Sequence, residues 1–280
     1  MAGMQNQPSA DSLLRFENVT IRFDEVVAVD NVSFQMSAGE TRVVLGSAGS
    51  GKTTLLKAAI GLIPVDSGRV FLLGRDITDL AERQLFDLRS QVGVLFQEGG
   101  LFDSINIAEN VAYPLVNRKT HLDSPQAVET KVENALRFVE LSHTLEKYPN
   151  ELSGGMRRRV GIARAVITDP PLVLYDSPTA GLDPITATTI MALIAKERDS
   201  LNAANLIVTQ RYQDGQLMAN FRYNRLNEHL EPVPKNGEGN PTHTTFMVMK
   251  EGHLIFEGTQ ARLEASTDAY ISKFVPQHHN

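Results

Sequence analysis

Several features are missing from this sequence, and each absence narrows the class of protein. The 280 residues contain no cysteine, so neither a disulfide framework nor an oxidising compartment is indicated. No run of about 18 apolar residues occurs, so we predict no membrane-spanning helix. The N-terminus MAGMQNQPSADS is polar and lacks a signal-peptide core. The net charge of −6 comes without a basic patch for nucleic acid. We therefore expect a cytoplasmic protein that meets a membrane only through partners.

The most informative segment present is the glycine-rich GSAGSGKT at Gly46–Thr53, which fits the phosphate-loop pattern G-x-x-x-x-G-K-[ST]. The apolar run Val43–Leu45 before it predicts a buried strand, and Thr53–Leu62 predicts a helix. Glycines let the backbone turn tightly and point its N–H groups at phosphate oxygens, where the helix N-terminus adds partial positive charge. The pattern predicts that Lys52 contacts the β- and γ-phosphates of a nucleotide and that the Thr53 hydroxyl binds Mg²⁺.

A second segment places a carboxylate at the end of an apolar run. Pro171–Tyr175 predicts a buried parallel strand that ends in Asp176, at the carboxyl edge of a sheet. A carboxylate at this position can hold the Mg²⁺ that bridges the phosphates. Asp183 and Pro184 are typical of a helix start and predict a helix that continues through Ile185–Arg198.

LSGGM at Leu152–Met156 allows a family to be named, because kinases and small GTPases do not carry it. With the phosphate loop, Gln97 and TAGLDP at Thr179–Pro184, it makes the chain resemble the nucleotide-binding subunit of an ATP-binding cassette (ABC) transporter. The resemblance extends from about Leu13 to Leu263. It implies ATP and Mg²⁺ as cofactors. It also implies a second nucleotide-binding subunit, with a homodimer expected, because in this family ATP is bound between two such subunits.

The implied fold is α/β, a P-loop NTPase ABC cassette with a RecA-like parallel-sheet core, an antiparallel β subdomain and an inserted α-helical subdomain. We predict a nucleotide-binding domain over residues 13–265, with the helical subdomain at about 98–164 and a polar, flexible insertion at about 212–244. Tails are predicted at 1–12 and 266–280. Leu13–Gly39 predicts antiparallel strands with a turn near Asp24, Arg69–Leu73 another strand, and Ala127–Val139 an amphipathic helix. The insertion is either an ordinary loop or a partner contact.

Motifs and resemblance together assign the site residues. Nucleotide binding is assigned to Phe23, Gly46, Ser47, Ala48, Gly49, Ser50, Gly51, Lys52, Thr53, Thr54, Ser153, Gly154, Gly155 and Asp183. Catalysis is assigned to Lys52, Gln97, Asp176, Ser177 and Gln210, and Mg²⁺ binding to Thr53, Gln97 and Asp176. In the family, the glutamine matched by Gln97 touches Mg²⁺ or the attacking water and communicates with the membrane partner. The aspartate matched by Asp183 contacts the site of the opposing subunit.

Three further interpretations concern the helix Met156–Thr168 and the adenine site. Ser153 and the two glycines after it begin this helix and, in the family, face phosphates bound by the other subunit. Arg157–Arg159 form either a phosphate clamp or a solvated helix face, and the solvated face is the preferred interpretation. Phe23 either stacks on adenine, as the family's aromatic does, or is a core residue that ends a strand.

Two departures from the family pattern concern hydrolysis. Ser177 stands where the family has a glutamate that positions or deprotonates water, and Gln210 stands where it has a histidine on the γ-phosphate. Serine cannot take a proton near neutral pH, and a lost general base costs about 10²–10⁴-fold in rate. The chain is then a slow ATPase helped by another group such as Glu98, a degenerate subunit with a competent partner, or an ATP-gated clamp. A soluble ABC assembly ATPase is the alternative class.

The segment Phe96–Leu115 and the LSGGM ending resemble the Mla/Mkl-type subfamily, which transports phospholipid, sterol or solvent-like molecules. This resemblance implies an integral membrane permease and MCE-domain proteins as partners. The chain would then sit peripherally on the inner face of the cell membrane. The apolar surface near Leu101–Ile107 is either the dock for a coupling helix of the permease or ordinary core.

Overall fold

The computed structural model describes residues 12–118, 123–233 and 242–275, with the side chain of Glu98 also outside the description. The strands are β1 (Ser12–Phe23), β2 (Val26–Ser37), β3 (Thr41–Leu45), β4 (Ser67–Leu72), β5 (Arg75–Asp76), β6 (Val92–Leu95), β7 (Leu172–Asp176), β8 (Ala204–Thr209), β9 (Phe221–Asn224), β10 (His229–Pro232), β11 (Thr244–Lys250) and β12 (His253–Gly258). The helices are α1 (Lys52–Ala59), α2 (Glu82–Arg89), α3 (Ile107–Val116), α4 (Pro125–Phe138), α5 (Gly154–Val166), α6 (Pro184–Leu201), α7 (Tyr212–Asn220) and α8 (Gln260–Glu264).

A six-stranded sheet forms the centre of the fold, in the order β12-β11-β3-β8-β7-β6. Its neighbours run parallel except β12, which pairs antiparallel with β11. β3, β7 and β8 are buried along their whole length, as expected for parallel strands covered on both faces. The predicted parallel-sheet core is therefore confirmed.

Alternating side chains divide the interior into layers. Leu174 and Val208 face a core shared with α1 and with the antiparallel sheet β2-β1-β4-β5. Tyr175 and Ile207, one position away on the same strands, face a core shared with α3, α4, α5 and α6. The antiparallel layer confirms the predicted β subdomain, and its β1–β2 hairpin turns after Phe23 as predicted.

The ends of three helices differ from the sequence prediction. α1 stops at Ala59 because Gly61 adopts a left-handed φ of +65° and the N–H of Leu62 returns to the carbonyl of Lys57. α5 starts two residues before the predicted Met156, directly after Ser153. α6 begins after Asp183 as predicted and runs on to Leu201.

The stretch predicted to be a flexible polar insertion is largely built of regular elements where the structure describes it. It contains α7 and the antiparallel hairpin β9–β10, while residues 234–241 lie outside the described residues. Tyr212 and Met218 are buried on α7, so this helix has an apolar side that the polar composition concealed. Regular elements therefore occupy most of 212–233, where the composition predicts a loop.

The described part of the predicted C-terminal tail packs on the domain. Ile271 is buried with Val43, Leu45 and Phe246 in a third core cluster, which Phe274 also contacts. Over the described ranges 12–118, 123–233 and 242–275, no helix combines the length and apolarity needed to cross a membrane.

Candidate nucleotide site

Four neighbouring parallel strands deliver the site to one edge of the central sheet. The phosphate loop follows β3, Gln210 follows β8, Ser177 follows β7 and Gln97 comes shortly after β6. Loops at the carboxyl ends of adjacent parallel strands meet at this edge, where α/β proteins bind their ligands. The topology therefore gathers groups that are more than one hundred residues apart in the sequence.

The phosphate loop packs closely against the backbone of β2 and β11. Gly51 has a φ of +97°, and a Cβ there would lie 2.1 Å from the carbonyl oxygen of Ala28. A Cβ on Gly46 would lie 2.5 Å from the carbonyl oxygen of Met249. Both positions need glycine for this reason. Residues 47–49 of the loop, which are Ser, Ala and Gly, are exposed and available to a ligand.

Lys52 is buried at the first position of α1, where its ammonium group donates three hydrogen bonds. The acceptors are the carbonyl oxygens of Gly46 at 2.8 Å and Ser47 at 2.7 Å, and Ser50 Oγ at 3.1 Å. Burial lowers the pKa of Lys52 to about 8, and the negative charge of Asp176 opposes this shift. Because a charged phosphate oxygen is a stronger acceptor than a neutral carbonyl, it can displace one of these partners.

Asp176 lies at the end of β7 beside the start of α1. Thr53 Oγ1 donates to Asp176 Oδ1 at 3.3 Å, and Ser177 Oγ donates to the same oxygen at 3.1 Å. Carboxylate and hydroxyl oxygens are hard ligands of the kind Mg²⁺ prefers. Thr53 and Asp176 therefore fit a Mg²⁺ ion that accompanies a nucleotide. Thr54, the next residue of α1, is partly buried.

Gln97 begins a short 3-10 turn, Gln97–Gly99, and its side chain is exposed. Arg164 on α5 fixes this turn, since its Nη2 donates to the carbonyl oxygens of Gly99 at 3.0 Å and Gly100 at 2.9 Å. Sequence reasoning missed Arg164, which no local motif marks. The proposed help from the Glu98 carboxylate concerns a side chain outside the described residues.

Ser177 and Gln210 lie where β7 and β8 leave the sheet, which places the two substituted positions on adjacent strands. Ser177 has a left-handed φ of +49°, and its N–H donates to the carbonyl of Val208 at 2.8 Å. Its hydroxyl donates a hydrogen bond to the carboxylate of Asp176. Gln210 is exposed, so its amide can reach a ligand at this edge.

Asp214 braces the two loops that carry these substitutions, and sequence reasoning missed it. Its Oδ2 accepts hydrogen bonds from Thr179 Oγ1 at 2.7 Å and from Thr209 Oγ1 at 2.6 Å. The carboxylate is 2% exposed, and this burial raises its pKa while the two threonine hydroxyls act in the opposite direction. The only sequence signal was an aspartate four residues after Gln210, in a stretch that looked like a loop.

The starts of α5 and α6 form a second group of predicted residues. Ser153 is exposed, and its Oγ accepts from the N–H of Met156 at 3.2 Å. Asp183 is also exposed and accepts from the N–H groups of Ile185 and Thr186 at 3.0 Å each. Hydrogen bonds from Thr186, which have the largest effect, and from the N–H of Ile185 lower the pKa of Asp183.

These two helix starts also pack closely against each other. Gly154 is exposed, whereas Gly155 is buried, and a Cβ on Gly155 would lie 2.6 Å from Thr186 Cγ2. A side chain at position 155 would push α5 and α6 apart. The signature residues and Asp183 therefore belong to one surface, with two exposed helix N-termini next to each other.

The preferred interpretation of Arg157–Arg159 as a solvated face is wrong. Arg158 is 6% exposed and donates to the carbonyl oxygen of Ala180. Arg157 donates to the carbonyl oxygen of Leu152 at 2.7 Å, and Arg159 to that of Val139 at 3.3 Å. All three arginines join α5 to surrounding backbone, because their long side chains carry several N–H donors that reach these carbonyls.

Phe23 ends β1 with its side chain 48% exposed, so the alternative of a core residue is wrong. Val26, its partner across the hairpin, is 66% exposed. Further along β2, the carbonyl of Ala28 contacts the phosphate loop at Gly51. Phe23 thus lies at the end of the hairpin whose second strand contacts the phosphate loop, and its exposed ring is available for stacking on a base.

Comparisons with known proteins agree with this geometry. A family model described as ABC transporter matches residues 29–180. The chain is 31% identical over 264 residues to the intermembrane phospholipid transport system ATP-binding protein MlaF of Haemophilus influenzae, covering 94% of this chain and 90% of that protein. It is 38% identical over 180 residues to the probable ribonucleotide transport ATP-binding protein mkl of Mycobacterium leprae, covering 64% of this chain and 51% of that protein.

The fold matches solved cassettes as well. A dimeric post-hydrolysis state of the ATP-binding cassette MJ0796 bound to ADP and Pi aligns with a TM-score of 0.73 and 26% identity, over 88% of this chain and 98% of that one. The chain therefore belongs to the family of ABC transporter ATP-binding subunits, and its enzymatic class is the ABC-type ATPase. The Mla and Mkl relatives confirm the predicted subfamily resemblance, and membership of the family implies ATP binding.

Proposed function

We propose that this chain powers a transporter of phospholipid or another hydrophobic compound. The observation that carries the proposal is the similarity to MlaF along 94% of the chain, since MlaF is named as a phospholipid transport subunit. The chain itself would bind ATP and pass its conformational change to a permease, while the lipid moves through the partners. MCE-domain proteins are proposed as further members, with the complex on the inner face of the cell membrane.

Two copies of the chain are proposed to enclose two ATP molecules. The exposed N-terminus of α5, which begins after Ser153, offers a helix dipole to phosphates bound by a facing copy, and Asp183 at the start of α6 is proposed to contact the site of that copy. The structural relative MJ0796 is a dimer. In this arrangement the phosphate loop of one copy and Ser153 of the other would hold the same ATP.

The residues present support binding better than hydrolysis. Lys52 would hold the phosphates, and Thr53 and Asp176 would hold Mg²⁺, which neutralises phosphate charge when bound. Gln210 can donate a hydrogen bond to phosphate but cannot become cationic. The Ser177 hydroxyl already donates to Asp176 and cannot act as a base near neutral pH. We therefore expect slow turnover of ATP.

The test measures ATP turnover of the membrane complex with restored catalytic residues. Ser177→Glu combined with Gln210→His is expected to raise kcat by about 10²-fold, since a general base contributes about 10²–10⁴. Lys52→Ala defines the background, and Ser177→Ala is the matched control because it changes the same position without supplying a base. Ser177→Ala should stay within about twofold of the native rate.

The same variants separate a second candidate function, which the two substitutions favour. In this alternative the chain is a degenerate subunit that binds ATP, gates the complex and relies on a competent partner subunit. Because a competent partner would hydrolyse ATP within the complex, the two functions are separated by the turnover of the purified subunit alone. Turnover of the native purified subunit above its Lys52→Ala background establishes an enzyme with a substituted catalytic apparatus. Turnover only in the double variant establishes the ATP-gated subunit instead.

A groove of about 490 Å³ next to the Gln97 turn fits the proposed permease contact. Phe86, Phe102 and Tyr113 line it with side chains 44%, 41% and 42% exposed, and the rings of the last two lie 4.6 Å apart. The groove also reaches Gly100, so a helix seated there would touch the turn that carries Gln97. We propose a coupling helix of the permease as its occupant. Of the predicted docking segment, Ile107 is fully buried and belongs to the core instead.

Membrane recovery tests this contact. Phe102→Asp should abolish co-purification with native membranes, because a charge in an apolar interface is costly to desolvate. Leu226→Asp is the matched control, since Leu226 is 96% exposed on the connection between β9 and β10, outside the groove. If the native chain is recovered only in soluble complexes, the transporter proposal is wrong and a soluble ABC assembly ATPase is supported.

A further inference from the structure

The hydroxyl of Tyr270, near the C-terminus, contacts the phosphate loop. It lies 3.0 Å from both the backbone nitrogen and Oγ of Ser47, and it donates to the carbonyl oxygen of Met249 at 3.1 Å. A phenol has one hydrogen to donate and two lone pairs that accept. With Met249 as acceptor and both Ser47 groups as donors, all three capacities of the Tyr270 hydroxyl are used.

Several contacts fix Tyr270 in this position. The Asp268 carboxylate accepts from the N–H groups of Tyr270 at 2.7 Å and Ile271 at 3.1 Å. The Phe274 ring packs edge-on at 5.3 Å, and the ammonium group of Lys250 lies 5.4 Å from the centre of the Tyr270 ring. Buried Ile271 anchors the same turn in the core. The C-terminal segment 266–275 thus presents the phenol to the loop in one defined orientation.

Ser47 is held from two directions. Its N–H and hydroxyl contact Tyr270, and its carbonyl oxygen accepts from Lys52 Nζ at 2.7 Å. The carbonyl of Met249 that accepts from Tyr270 also faces Gly46, which is why no Cβ fits there. When Lys52 turns to a phosphate, Ser47 loses one of its two anchors, and the Tyr270 hydroxyl is left to hold the outer edge of the loop.

We propose that Tyr270 is a positioning residue for nucleotide binding, through which the C-terminal segment sets the shape of the phosphate loop and hence the affinity for ATP. The proposal rests on ATP binding at this loop, as in the proposed function. Tyr270 need not touch the nucleotide, because it acts through Ser47.

The test compares ATP binding by the full chain with and without the phenolic oxygen. Tyr270→Phe keeps the ring and should raise the Kd for ATP by about three- to tenfold, the range of one lost hydrogen-bonding group. The rate at saturating ATP should stay within about twofold, because the reacting groups are unchanged. Tyr212→Phe is the matched control: it removes a hydroxyl from the same core cluster, but that hydroxyl bonds Gln260 and Glu264 on α8.

Ser47→Ala supplies a second variant from the other side of the contact. It should weaken ATP binding by about two- to threefold, and the double variant should fall short of the product of the single effects, because both changes disrupt one interaction. Unchanged affinity in Tyr270→Phe, or an equal loss in Tyr212→Phe, overturns the inference. Absence of ATP binding by the native chain, equal to Lys52→Ala, instead overturns the proposed function.

Discussion

Two parts of the predicted nucleotide site differ in how closely they follow the family pattern. We call Lys52, Thr53 and Asp176 the phosphate side, and Ser177 and Gln210 the water side. On the phosphate side, the residues Lys52, Thr53 and Asp176 match the family pattern. Lys52 donates a hydrogen bond to the carbonyl oxygen of Gly46 in the phosphate loop, and Thr53 donates one to Asp176. On the water side, Ser177 and Gln210 stand where the family resemblance predicts a glutamate that acts on the attacking water and a histidine on the γ-phosphate. We therefore propose that the chain retains the groups that hold ATP and lacks the usual groups that cleave it.

The scaffold on the water side is nevertheless intact. Asp214 accepts from Thr179 and Thr209, and Ser177 is bonded through its N–H to Val208, so both loops are fixed to the sheet. Ser177 and Gln210 therefore leave the sheet at the ends of two adjacent, hydrogen-bonded strands, β7 and β8. We therefore propose that ATP binding and ATP hydrolysis depend on different residues in this chain.

The phosphate side can be tested by changing the pH, which changes the charge of Lys52, and measuring the affinity for ATP. Burial lowers its pKa to about 8 in the free protein, and a bound phosphate should raise that pKa again. Binding then takes up a proton above pH 8, so the affinity for ATP should fall as the pH rises through this value. We expect a loss of about tenfold between pH 7 and pH 9, measured by calorimetric titration of ATP.

The control for this dependence is Lys52→Ala, which should bind ATP weakly and with no such change between those pH values. Lys57→Ala, on the last turn of the same helix, should keep the native profile because Lys57 does not belong to the phosphate loop. A native affinity that stays constant from pH 7 to pH 9 would contradict the assignment of the charge to Lys52.

The water side can be tested by removing the Asp214 carboxylate, which holds its two loops together. Asp214→Ala leaves two buried hydroxyls without their acceptor, which should lower the free energy of unfolding by about 2–4 kcal/mol. Loosening the loops of Ser177 and Gln210 should lower turnover by about three- to tenfold, with ATP affinity within about threefold of native, because the phosphate loop is untouched. Denaturant unfolding, ATP titration and turnover measure the three quantities.

Asp214→Asn is the conservative control for that prediction. Both threonines donate to the same carboxylate oxygen, so an amide oxygen in that position can accept both hydrogen bonds. This variant should recover most of the stability and turnover lost in Asp214→Ala. Equal damage in the two variants would show that the charge, and not the hydrogen-bond acceptor, matters.

The local motifs predicted much of the site, because phosphate chemistry restricts backbone and side chain together. The strand before the phosphate loop, the carboxylate that ends β7 and the cap of α6 at Asp183 were all predicted from short patterns. The assigned nucleotide, catalytic and Mg²⁺ roles remain predictions until a ligand is bound. α7 was missed, since its buried Tyr212 and Met218 stand among polar residues that favour a loop.

The family, the phosphate loop and the two substitutions on the water side could be read from the order of residues, because each depends on which residues follow one another. The burial of Arg158, the exposure of Phe23 and the contacts of Asp214 and Tyr270 with distant loops became visible only in the folded chain. These contacts join residues separated by up to 223 positions, as for Ser47 and Tyr270. Such partners are selected by how strands and helices pack, and no local pattern of side chains records that choice.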